Sequence, residues 1–329
     1  MGSDLYNYSG AAQRIMNLAG DEIKAWCFEG TKDILQQTNV TQPCVYAVTM
    51  AAYEAFLEAL GMMEQSLQDA VEFVGAAGFS MGEYAALTAA GAIDDIQKGM
   101  EIIIQRGTLM NAAGMDESGN PKGGMVAAFG ERSAILDCVE AAKGDGILAA
   151  VNFNSPVQTV IAGDKDALER FKVKAGEVRI KAKSLSVSTA FHSPMMEPAA
   201  KALLDVLTAA ELKAPKMVIY SNVTGRDMME ELSDGIKTQQ YIVERMASQA
   251  KSPVYWQETI ENMQADGITA VVEIGPGTTL SGLTKKIAPE ILTMNIEDMA
   301  SLEKTIKTIA EQVQTELGKT ELPEETEEN

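Results

Sequence analysis

Residues 78–82 read Gly-Phe-Ser-Met-Gly, between an apolar run, Val71 to Ala77, and a small-residue helical run from Glu83 to Ala90. A turn this tight between a strand and a helix calls for small residues two before and two after its central serine. It also sets the serine at a helix N-terminus, where the N–H of the next residue, Met81, faces developing negative charge. The pattern predicts a strand–elbow–helix unit with Ser80 as candidate nucleophile. A Gly-rich turn carrying a serine near a helix N-cap is the plainer alternative.

A serine nucleophile needs a base. The chain has one histidine, His192, in the run Thr-Ala-Phe-His-Ser-Pro-Met-Met. A histidine base must be this one, although a lone histidine is more often structural. The same count excludes a metal site built on several histidines, and no metal is expected. Cys27, Cys44 and Cys138 are three and far apart, which excludes a disulfide framework and a Cys-rich zinc site and suits a reducing, cytoplasmic compartment. With 27 Lys+Arg against 47 Asp+Glu, the net charge is −20. That disfavours nucleic acid and anionic membranes as main partners. No apolar run approaches the ~18 residues of a membrane span, and Met1 to Gly20 lacks a basic segment followed by an apolar core, so neither a transmembrane helix nor a signal peptide is expected.

The remaining pattern alternates helix and strand. Helices are expected over 43–61, 83–90 and 94–113, and strands over 71–77, 216–221 and 269–274. Between them, strand 125–129, helix 131–143, strands 147–153 and 157–162, helix 165–175 and strand 177–187 spell β-α-β-β-α-β, the split βαβ of ferredoxin-like units. Helices 194–210 and 236–248 follow. The expected fold class is α/β, a hydrolase-like parallel-sheet large domain (1–122 and 189–317) with an inserted ferredoxin-like small domain (123–188). The acidic segment 318–329 is expected to be a disordered tail.

Several short motifs, taken in order, resemble the malonyl-CoA:acyl carrier protein transacylase family. They are Thr41-Gln42-Pro43, Gly78-Phe79-Ser80-Met81-Gly82-Glu83-Tyr84, Gln105-Arg106-Gly107 and Val151-Asn152-Phe153-Asn154-Ser155-Pro156. Ala190-Phe191-His192-Ser193, Ser221-Asn222-Val223, Ser252-Pro253-Val254 and Glu273-Ile274-Gly275-Pro276-Gly277 complete the set. Each is modest alone; their order and spacing are specific, and they cover most of the chain.

The resemblance implies that Ser80 is acylated and His192 is its base, with the backbone carbonyl of Gln249 orienting the imidazole in place of a triad carboxylate. It implies that Arg106 holds the free carboxylate of malonyl, a task suited to a guanidinium fork. Taken alone, Arg106 reads equally as a surface ion-pair residue. Gln42 resembles a residue lining the same pocket, and Asn154 and Asn222 match polar positions near it. Each also reads as an ordinary helix-start or turn residue. Phe191, beside the histidine, matches a bulky position that accompanies malonyl rather than a branched acyl group; it reads equally as core. Met81 N–H is one oxyanion donor. The implied reaction is ping-pong transfer of malonyl from malonyl-CoA to the phosphopantetheine thiol of an acyl carrier protein, without cofactor. Arg179, Lys181 and Lys183 offer a basic patch for an acidic carrier. A serine thioesterase or hydrolase, and a weakly active or non-catalytic carrier-binding relative, are the competing readings. Two departures stand out: Phe79 occupies a position that is His in many members, and Met1-Gly2-Ser3-Asp4-Leu5 resembles the segment just after the family's first strand and Gly-Gln-Gly loop, so both are expected to be missing.

Overall fold

A computed structural model of the chain describes residues 1–187 and 189–320. It opens on helices α1 (Ser3–Tyr8), α2 (Gly10–Leu18), α3 (Asp21–Glu29), α4 (Lys32–Leu35) and the long α5 (Thr38–Leu60), followed by α6 (Gln65–Asp69). Pro43 does not start α5 as the sequence pattern predicts; it lies inside the helix. Val40, Gln42 and Cys44, buried on either side of it, hold the helix across the one backbone bond that proline removes.

Strand β1 (Gly75–Ala77) leads through the elbow to α7 (Gly82–Ala89), and α8 (Ile96–Ala113) follows. Asp95 caps α8 by accepting from the N–H groups of Gln97 and Lys98 at 2.7 and 3.1 Å. β1 is shorter than the expected 71–77. Its parallel partner pairs over three residues only, and Phe73 and Val74 stay exposed.

The middle of the chain forms β2 (Gly123–Phe129), α9 (Arg132–Ala142), β3 (Leu148–Ser155), β4 (Gln158–Asp164), α10 (Lys165–Glu177) and β5 (Lys181–Ser184). Its antiparallel sheet has the order β3-β4-β2-β5 and a core of its own around Val126, Ile135, Leu148, Ile161 and Phe171. The order is that of a split βαβ unit. β5 is shorter than the expected 177–187, because α10 runs to Glu177 and the chain turns through Arg179 at φ 61°. The unit is tied to the rest by an ion pair of Arg132 with Glu258, a 2.7 Å bond from Arg132 to Gln257, and reciprocal backbone bonds of Val254 with Val151 and Phe153.

A 3₁₀ turn (Pro194–Met196) then enters α11 (Glu197–Ala209), followed by β6 (Val218–Tyr220), α12 (Thr238–Gln249), α13 (Trp256–Ala265), β7 (Ala270–Ile274), α14 (Thr279–Ile287), β8 (Leu292–Ile296) and α15 (Met299–Thr320). α15 reaches past Gly318, so the first three residues of the expected acidic tail are helical; 321–329 lies outside the described residues.

The parallel strands do not make one sheet. β1 pairs with β6 and β7 with β8, as two separate pairs. Both pairs lie between the same two apolar clusters. Ala76, Val272 and Ile274 pack on the main core built around α5, while Ala77, Val218 and Val271 pack on the cluster around Trp256 and Ile260. Strands so covered are normally buried on both faces. Here every β1 residue, and Val271 to Ile274 of β7, remain half-buried. Among the described residues no helix is long and apolar enough to cross a membrane, and no group of three or more His, Cys, Asp or Glu is arranged to hold a metal ion.

Candidate active site

The C-terminal end of β1 delivers the elbow, as open α/β sheets place their sites. Ser80 sits at φ 53°, a left-handed conformation that costs a non-glycine residue energy unless its surroundings impose it. They do so through hydrogen bonds. The Ser80 N–H donates to Asn222 Oδ1 at 2.6 Å, Asn222 Nδ2 donates to the Gly78 carbonyl at 2.6 Å, and Gln249 Nε2 donates to the Ser80 carbonyl at 2.7 Å. Only one of the two elbow glycines is required sterically. A Cβ on Gly78 would lie 2.0 Å from the Gly82 carbonyl, whereas a Cβ on Gly82 would meet nothing within 4 Å.

Ser80 Oγ lies 2.7 Å from His192 Nε2. His192 Nδ1 faces the carbonyls of Gln249 and Ser252 at 3.0 and 3.1 Å. Carbonyls only accept, so Nδ1 carries the proton and Nε2 presents its lone pair to the serine hydroxyl, the tautomer a general base requires. Burial, and then the charge of Arg106, hold the His192 pKa down to about 4 against the two carbonyls, so the ring is neutral near pH 7. His192 is itself at φ 59°.

Arg106 comes from α8 and is fully buried. Its Nη1 donates to Gln42 Oε1 at 2.6 Å, and its Nη2 to Gln249 Oε1 at 3.0 Å and to Ser80 Oγ at 3.1 Å. The guanidinium carbon stands 5.2 Å from the Tyr84 ring centroid. Nε has no partner, and no ion pair engages the side chain among the described residues. Burial lowers its pKa, against the smaller opposing pull of Tyr84 and Glu83. Gln42, inside α5, thus serves the guanidinium directly.

The other candidates are placed differently. Met81 is the N-cap of α7, and its N–H has no protein acceptor among the described residues. Phe191 is half-buried against the main core beside His192. Asn222 spends its side chain on the elbow. Asn154 is buried in β3 with Oδ1 unpartnered and has no hydrogen bond to the cluster. Arg179, in the turn before β5, and Lys181 and Lys183, on it, are exposed. Three participants carry no functional signal in the sequence: the Ser252 carbonyl, the Gln249 side-chain amide and Glu83. Glu83 belongs to the elbow motif, but an acid in the first turn of a helix usually serves only the helix dipole.

The sequence model of the acyl transferase domain family matches residues 1–322. The chain belongs to that family. Among its acyl transferase relatives, the malonyl CoA-acyl carrier protein transacylase of Bacillus subtilis (strain 168) is 34% identical over 319 residues, covering 95% of this chain and 93% of that one. The protein of the same name from Haemophilus influenzae is 34% identical over 275 residues, covering 83% and 81%. The crystal structure of the malonyl CoA-acyl carrier protein transacylase from Clostridium perfringens superposes with a TM-score of 0.84 at 32% identity, over 96% of this chain and 95% of that one. A malonyl-transacylase in complex with a type II PKS acyl-carrier protein superposes at 0.83 and 30%, covering 94% of each chain.

Proposed function

We propose that this acyl transferase moves a malonyl group from malonyl-CoA to the phosphopantetheine thiol of an acyl carrier protein, in two half-reactions through Ser80. In the first, Ser80 Oγ attacks the thioester carbonyl and gives its proton to His192 Nε2. The C–S bond breaks, and His192 returns the proton to the departing coenzyme A sulfur. In the second, the carrier's thiol gives its proton to His192 and attacks the ester, and the proton goes back to Ser80 Oγ as the C–O bond breaks. The Met81 N–H, at the start of α7, is the donor to the oxyanion of each tetrahedral intermediate.

The observation that carries this reading is Arg106: a buried cation in no ion pair among the described residues, whose Nη2 lies 3.1 Å from the nucleophile. Such a charge is costly to leave unpaired. A thioester whose acyl group ends in a free carboxylate, two bonds from the reacting carbonyl, repairs the deficit, and a neutral acyl group does not. Gln42 and Gln249 hold the fork in place, Phe191 limits branching beside it, and Asn154 completes the polar wall. The exposed Arg179, Lys181 and Lys183 suit an acidic carrier, and residues 123–188 act as a small domain on a large domain of 1–122 and 189–317. The location is cytoplasmic, in keeping with three free cysteines. Intact mass spectrometry after mixing with malonyl-CoA tests the proposal. A malonyl adduct is expected on the native chain, absent from Ser80→Ala and discharged by carrier thiol. An adduct equal in both, or none in either, overturns it.

A further inference from the structure

Glu83 is fully buried on α7 and makes no ion pair among the described residues. Its partners all donate to the carboxylate, and of them only the Ser221 hydroxyl can also accept. Gln249 Nε2 donates to Oε2 at 2.7 Å, the Asn222 N–H donates to Oε1 at 3.2 Å, and the Ser221 hydroxyl also faces the carboxylate. The charged and titratable groups around it are Arg106 on α8, Tyr84 on its own helix and, across Gln249, His192.

The two amides that Glu83 contacts grip the rest of the site. Gln249 has Nε2 between two acceptors, Glu83 and the Ser80 carbonyl, and Oε1 against the Arg106 fork. Turning that amide over would set an NH₂ group against a guanidinium and an oxygen against a carboxylate. Asn222, whose main chain is anchored by Glu83, clamps the elbow through Ser80 N–H and the Gly78 carbonyl.

We propose that Glu83, acting as a carboxylate, is the positioning residue of this site: it fixes the Gln249 amide so that Arg106 is aimed at the acyl carboxylate, and it anchors the Asn222 clamp on Ser80. This rests on the malonyl-transfer reading above. A protonated Glu83 can donate only to the Ser221 hydroxyl, which must then turn its own proton elsewhere, and a neutral carboxyl accepts more weakly than a carboxylate from Gln249 Nε2 and the Asn222 N–H, so its hold on both loosens. Burial pushes its pKa up to about 7, against those donors and the charge of Arg106, so the change falls in an accessible range.

The test is the pH profile of Ser80 malonylation, read as kcat/KM, in native protein, Glu83→Gln and Glu83→Asp. In the native protein kcat/KM should fall as pH drops through about 7, well above the His192 value of about 4. In Glu83→Gln the fall near neutrality should vanish, on a rate lowered by about ten- to a hundredfold at high pH, the value of one or two charge-assisted bonds. Glu83→Asp, shorter but still ionisable, should keep a displaced fall. A Glu83→Gln protein merely weakened at every pH, with the native profile intact, overturns the proposal. So does a native profile flat down to about pH 5, a result that needs no variant to fold. The malonyl adduct on native Ser80 is a separate outcome: its absence sinks the transfer reading, whereas its presence with a flat profile sinks only the role of Glu83.

Discussion

At the scale of single residues, the site holds a buried cation, a neutral base and a carboxylate with an elevated pKa within one hydrogen-bond network. Arg106→Ala should lose malonyl transfer about ten- to a hundredfold more than acetyl transfer, since only malonyl offers a carboxylate worth about 1.5–3 kcal/mol to the guanidinium. Competition kinetics with the two thioesters checks this; equal losses would make Arg106 structural. Glu83 and His192 also bear on stability, with opposite signs. The Glu83 pKa rises from 4.5 to about 7 on folding, so the folded chain takes its proton first and stability increases as pH falls across that interval. The His192 pKa falls from 6.5 to about 4, so the unfolded chain takes its proton first and stability is lost as pH falls across that interval. Each effect is about 3 kcal/mol by linkage, and in the native chain they largely cancel. In Glu83→Gln, denaturant midpoints should therefore drop as pH is lowered from about 6.5 to about 4. In His192→Ala they should climb as pH is lowered from about 7 to about 4.5. Parallel profiles in the two variants would contradict this. Ser80, His192 and Arg106 were legible from residue type and motif order. Glu83 and the Gln249 amide were not, because their roles rest on contacts across 166 positions of chain, which no local pattern announces.

At the scale of elements, the elbow was legible because its sterics are local, yet the pattern asked for more than the structure requires. Gly78 is crowded by backbone and Gly82 faces open space. Gly78→Ala should cost at least about 3 kcal/mol, through overpacking against main chain that cannot move aside, and should abolish acylation. Gly82→Ala, at ordinary helical φ, should fold with an unchanged or slightly raised melting temperature. Thermal melts of the two decide it; equal damage would mean that the space beside Gly82 is occupied. The β-α-β-β-α-β order was legible for a related reason: each of its strands and helices buries a periodic face in its own small core. Boundaries failed where packing outweighs local preference. Pro43 sits within α5, and the apolar run from Val71 forms a strand only from Gly75, where a partner exists.

At the scale of the whole molecule, the sheet is split. Two parallel pairs share the same covering layers, and among the described residues each of their strands is paired with one other strand only. Strands bonded on one side only have a colloidal consequence. A strand bonded on one side is a template for a strand of any neighbouring molecule, and what holds two such molecules apart in dilute buffer is their mutual repulsion at a net charge of −20. Salt shortens the reach of that repulsion to about 3 Å at 1 M. The shelf life of this protein is therefore set by ionic strength: light scattering should stay low in dilute buffer and grow with added salt and with protein concentration.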